Sequence, residues 1–139
     1  MKKLRELGLL VIAAHWLVGV WHLLLVAKIL PSPDHTGYWF AIGLSTLLHF
    51  GVSVAWWKLI DGPAGLVLCV FLFAVLGAGI YEHFLGPGLN TIFRIPPSEW
   101  TSAFRASVYA LVVFEILGCW LGIRRLKGRR QTMRATWRA

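Results

Sequence analysis

Residues 8–30 read GLLVIAAHWLVGVWHLLLVAKIL, an apolar run broken by one lysine and two histidines. A helix of about 20 such residues crosses about 30 Å of hydrocarbon. This run therefore constrains the fold more than any other feature of the sequence. Three further stretches repeat the pattern, at about 37–59, 63–84 and 98–125, with the first extending over about 4–30. PSPD, IDGP and LGPG interrupt the successive runs, and Ser98 after Pro97 is placed to cap the fourth. With 139 residues, 58% of them hydrophobic and 14% charged, a soluble domain would have no means of hiding this much apolar surface. The expected fold is an all-α integral membrane protein, an antiparallel up-down four-helix transmembrane bundle over residues 1–126. The start resembles a signal peptide, but its apolar run exceeds the roughly 7–15 residues of a cleaved core, so an uncleaved first helix is expected.

Charge orients the bundle. The net charge is +8, and seven of the fourteen basic residues (Arg124, Arg125, Lys127, Arg129, Arg130, Arg134 and Arg138) fall in the last sixteen positions with no acid among them. Lys2, Lys3 and Arg5 mark the other end of the chain. The positive-inside rule places both termini in the cytoplasm of a cell membrane (plasma or inner) and makes 127–139 a basic cytoplasmic tail. The partners expected of such a chain are the bilayer, its anionic headgroups and other membrane subunits, with no nucleic acid. Tyr38, Trp39, Tyr81 and Trp100 read as the outer aromatic belt, and Trp56, Trp57 and Trp120 as the inner one. The outer loop, LGPGLNTIFRIPPSEW, is half apolar and is expected to lie against the bundle mouth or the bilayer. Cys69 and Cys119 sit in apolar runs and read as core thiols.

Ionisable residues at membrane depth are costly and face a bundle interior, a cavity or a partner. Counting about 5.4 Å per turn, His15, His49 and Glu115 each fall about two turns from the inner end of their own helix. They form an inner cluster drawn from three helices. His22, Glu82, His83 and Arg105 form a looser outer one, with Asp34 and His35 in the first outer turn. Arg105 is expected to pair with Glu82 or to snorkel outward. Small or polar stripes accompany each site: Gly8 and Gly19 with His15, Ser45 and Ser53 with His49, and Gly118 and Gly122 with Glu115.

Four readings of the inner cluster stand side by side. It is a hydrogen-bonded packing cluster. It is a metal site in which His15, His49 and Glu115 hold zinc or iron. It is the seat of a single b-type haem between His15 and His49. Or it belongs to a proton or ion path that begins at His22. The corresponding functions are a His/Glu site in a subunit of a larger assembly, a non-catalytic structural subunit, or a membrane enzyme acting on a lipid-like substrate. Catalysis is the least expected, since no HExxH, P-loop or nucleophile elbow occurs.

Overall fold

The computed structural model describes residues 2–30, 36–59 and 61–136, and the side chains of 36, 38, 61 and 128–136 are outside the description. Among the described residues there are four α-helices and no strand: α1 (Lys2–Ile29), α2 (Thr36–Lys58), α3 (Asp61–Ile80) and α4 (Thr101–Thr136). A five-residue π-helical turn, Tyr81–Leu85, continues α3. All four are long and apolar enough to cross a membrane, over Lys2–Ile29, Trp39–Lys58, Gly62–Leu85 and Thr101–Lys127. Asp34, His35 and the side chain of Tyr38 lie outside the described residues, as do the tail side chains beyond Lys127.

Two boundaries depart from the sequence expectation. α4 begins at Thr101, while Ser98 organises the turn before it: its Oγ accepts the Trp100 N–H at 3.3 Å. The helix also continues past Arg125 to Thr136. Lys and Arg are good helix formers, and the lone Gly128 costs only about 1 kcal/mol of propensity. Cations near a helix C-terminus also interact favourably with its dipole.

Contacts fix the order of the helices. α1 packs on α2 and α4, and α3 packs on α4. Gly8 of α1 faces Trp56 near the end of α2, while Trp16 Nε1 donates to Thr46 Oγ1 at 3.0 Å further along. The two helices therefore run in opposite directions. α3 and α4 are antiparallel in the same way. Gly65 opposes Gly122 near the turn between α2 and α3, and His83 meets Phe104 at the far end.

Glycine makes the tightest contacts. A Cβ on Gly122 would lie 2.7 Å from the Gly65 carbonyl oxygen, so the α3–α4 seam requires two small residues at its crossing. Gly8 admits the indole of Trp56, where an added Cβ would stand 2.2 Å from Cε2. With little hydrophobic drive between helices in lipid, such close packing supplies association energy.

The buried core is in two parts. At the end holding the N-terminus, Val11, Ile12, Val52, Trp56, Leu68, Leu72 and Leu121 form an apolar plug. At the other end Val26, Phe104 and Val108 close over Ile92 and Ile95 of the long loop. The loop is therefore divided: Ile92 and Ile95 are buried, whereas Leu85, Leu89 and Phe93 are exposed. Polar residues occupy the level between the two cores.

One inner-belt assignment needs correction, and one basic residue of the C-terminal run turns inward. Trp56 is fully buried, and its Nε1 donates to the Arg5 carbonyl at 2.9 Å. Arg125 is 2% exposed and does not belong to the solvated tail. Its guanidinium stacks on the Trp56 ring at 4.3 Å and donates to the carbonyls of Trp56 and Leu59, the latter at 3.2 Å. These carbonyls end α2 and have no partner within the helix, so Arg125 acts as a C-terminal cap supplied by another helix. Trp57 and Trp120 remain half exposed, and Arg124 lies over the Trp120 ring at 4.4 Å.

Candidate functional site

The structure brings His15, His49 and Glu115 together from α1, α2 and α4. His15 Nδ1 lies 2.8 Å from His49 Nε2, and His15 Nε2 lies 3.2 Å from Glu115 Oε1. All three residues are buried, at 3%, 8% and 2% exposure. His49 ends the chain of bonds by donating Nδ1–H to the Ser45 carbonyl at 2.7 Å.

That carbonyl gives the chain its direction. A carbonyl can only accept, so the 2.7 Å contact puts a proton on His49 Nδ1, with the Ser45 hydroxyl a longer second neighbour at 3.3 Å. The two remaining links, His49–His15 and His15–Glu115, each need one proton between two atoms that can both accept. With both links filled, the proton of the first sits on His15 or His49, and that of the second on His15 or Glu115. The feasible arrangements are a neutral acid beside two neutral imidazoles, or a carboxylate with one imidazolium. Each has zero net charge. The cluster therefore holds no net ion, which lowers the cost of burying ionisable groups among apolar helices.

The geometry is linear, not convergent. Two nitrogens on one tetrahedral zinc stand about 3.3 Å apart, and two axial ligands of a haem iron about 4 Å apart, for metal–nitrogen bonds of about 2.0–2.1 Å. At 2.8 Å the two nitrogens are at hydrogen-bonding distance, closer than either arrangement sets them. Among the described residues, no group of three or more His, Cys, Asp or Glu side chains is disposed to hold a metal.

The outer residues divide. His22 and His83 meet edge to face with centroids 4.6 Å apart, and both pack on Phe104. Glu82 is exposed at the same level. Arg105 does not join them, because its Nε donates to the Ile92 carbonyl at 3.1 Å and so ties α4 to the loop. The predicted Glu82–Arg105 pair gives way to this bond because the loop presents its carbonyl directly over α4.

A cavity of about 590 Å³ connects the two levels. Its wall includes His15, His49 and Glu115 at one end and His22, Glu82 and His83 at the other, with Asn90 of the loop. Leu44 and Leu48 of α2 line it while remaining 46% and 48% exposed, so it opens along the α2–α3 side. The apolar plug closes it toward the N-terminal end.

Three buried polar atoms on this wall have no partner: His22 Nε2, Asn90 Oδ1 and Glu115 Oε2. Ser107 explains the first. Its Oγ donates to the Phe104 carbonyl at 2.7 Å, so it accepts from His22 Nδ1 at 2.9 Å. In neutral His22 the lone pair is then on Nε2. His83 is fixed similarly, with Nδ1 donating to the Asn90 carbonyl at 3.0 Å. Sequence reasoning missed Ser107 and Asn90. Ser107 lies 85 positions from His22 and leaves no spacing signal, while Asn90 reads only as a turn residue. No known protein family, curated protein or solved structure matches this chain.

Proposed function

We propose that this chain is a multi-pass protein of the plasma or inner membrane that binds and releases a single proton at His15–His49–Glu115. The cavity reaches this chain from the outer half of the bilayer. The observation that carries the reading is the directed chain itself. Its far end is anchored on the Ser45 carbonyl, its near end is the carboxyl of a residue that lines the cavity, and the second carboxyl oxygen is buried without a partner. Links that can hold a proton on either atom are the parts of a relay.

Orientation rests on charge. The basic residues at both ends of the sequence favour an up-down bundle with both termini cytoplasmic. The plug then lies in the cytoplasmic half, and the cavity opens outward. The apolar plug on one side of the site and the cavity on the other favour proton exchange from one side over free conduction. The tail supplies contacts to anionic headgroups. The exposed apolar faces of α2 and α3, with Phe40, Leu47, Phe50 and Phe73, are where lipid or another membrane subunit would lie.

A metal or haem role is less well supported by the 2.8 Å nitrogen separation. A role in packing alone accounts for the bonds within the chain but not for the partnerless Glu115 Oε2 on the cavity wall. Infrared difference spectra between acid and alkaline pH test the proposal on detergent-solubilised protein. A pH-dependent carboxyl or imidazolium band that Glu115→Gln removes and Glu82→Gln retains is expected. Identical pH-dependent bands in the wild type and Glu115→Gln would reject it.

A further inference from the structure

The cavity has a consistent chemical character. Glu82 and Glu115 supply carboxyl groups, and His22 Nε2 and Asn90 Oδ1 supply lone pairs, while no Lys or Arg among the described residues lines it. Leu23, Leu44, Leu48, Phe71, Val75 and Leu111 add large apolar side chains to the wall. The site therefore presents acceptors and negative charge within an apolar envelope. Two of the partnerless acceptors belong to side chains that are themselves almost wholly buried, His22 at 4% and Glu115 at 2% exposure. Partnerless acceptors on residues of the wall, with the exposed carboxyl of Glu82 beside them, favour an occupant that brings positive charge or donors.

The proton chain adds a constraint. If one proton leaves the His15–Glu115 link, the imidazole lone pair and the carboxylate face each other at 3.2 Å with nothing between them, and the cluster acquires one negative charge. In a low-dielectric site that charge needs a counter-ion. The groups facing Glu115 offer none: His15 on α1 and His49 beyond it are neutral once the proton has gone, Cys119 lies on α4 itself, and Gly79 is the nearest part of α3.

From this we infer that the cavity binds a lipophilic organic cation, an ammonium or phosphonium centre on an apolar body, in exchange for the proton of the His15–Glu115 link. The exchange is one for one: the cation enters, one proton passes from the link to water through the cavity, and no other bond forms or breaks. The His15–His49–Glu115 chain, together with the cation that replaces its proton, has zero net charge before and after. The half-exposed Leu44 and Leu48 at the α2–α3 side give the apolar body an entrance from the bilayer. The inference rests on the proton-site reading, to which it adds the ligand.

Methyltriphenylphosphonium is the suitable probe, because it carries permanent charge and brings no proton of its own. Its binding to detergent-solubilised wild-type protein is measured by calorimetry in two buffers of different ionisation enthalpy, which counts protons released. The expected result is saturable binding with about one proton released per cation, and a Kd that rises about tenfold for each unit fall in pH where the site is protonated. Glu115→Gln abolishes the release and weakens binding, Glu82→Gln leaves the proton count unchanged, and the neutral isostere 1,1,1-triphenylethane releases none. Binding of the phosphonium without proton release, equal affinity in Glu115→Gln, or absence of binding would overturn the inference. The wild-type proton count decides the matter even if a variant fails to fold. Infrared bands that still depend on Glu115 in protein that does not bind the cation would sink the ligand assignment and leave the proton site standing.

Discussion

His15 Nδ1 and His49 Nε2 are 2.8 Å apart, and the proton between them is part of a chain whose direction is set by a backbone carbonyl one turn away on α2. Removing either end of that link has unequal consequences. His49→Ala leaves the His15 Nδ1–H buried without an acceptor, which costs about 1–3 kcal/mol. Glu115→Gln keeps a donor for His15 Nε2 through its amide and should cost less. Thermal unfolding in detergent should therefore rank His49→Ala below Glu115→Gln, although only the latter removes the carboxyl.

The Gly8–Trp56 contact predicts a steep steric dependence. Gly8→Ala places a methyl 2.2 Å from an indole that cannot easily move, since Arg5 accepts its N–H and Arg125 covers its face. A loss of about 1–3 kcal/mol is expected. Gly43→Ala on α2 meets nothing within 4 Å and should be neutral or slightly stabilising. Denaturation midpoints of the two variants, measured in one detergent, make the comparison.

Arg125 and Arg124 are adjacent in sequence and opposite in role. Arg125→Ala leaves the carbonyls of Trp56 and Leu59 without their charged donor and should cost about 1.5–3 kcal/mol. Arg124→Ala loses only an exposed contact with Trp120 and should stay within about 0.5 kcal/mol of wild type. The same unfolding assay separates them.

The four spans and the shared depth of His15, His49 and Glu115 can be read from the sequence because both follow from rise per residue and the thickness of hydrocarbon. What joins them cannot. Helix periodicity places His15 near His49 but does not say whether their nitrogens meet each other or a common ion, since that depends on ring rotation and on the Ser45 carbonyl. Arg125 cannot be told from its basic neighbours for a related reason. In a run of basic residues at a helix end, charge alone does not tell which side chain turns back to cap another helix. Trp56 and Trp57 likewise differ only in the face they occupy, and that face is decided by a glycine some fifty positions earlier.

Cavity access provides a topological prediction. With Cys69 and Cys119 replaced by Ser, Ser45→Cys lies on the cavity wall and Leu68→Cys lies in the plug. A small membrane-impermeant thiosulfonate applied from the outer side of oriented vesicles should modify the first and spare the second. Modification of Ser45→Cys only from the cytoplasmic side would invert the orientation.

Ser107 should control the tautomer of His22. Ser107→Ala removes the acceptor of Nδ1–H, so His22 is expected to move its proton to Nε2 and become a donor toward the cavity. Imidazole nitrogen chemical shifts of the two proteins report this switch, and an unchanged Nδ1–H tautomer would mean that Ser107 does not set it.

The most direct test of the directed chain is nitrogen NMR of His49 in histidine-labelled protein, assigned by comparison with His49→Ala. The account predicts that Nδ1 keeps its proton at every pH at which the fold persists, and that a coupling across the hydrogen bond connects His49 Nε2 to His15 Nδ1. A His49 ring protonated on Nε2 alone, or two histidine nitrogens shifted together by a bound metal, would contradict it.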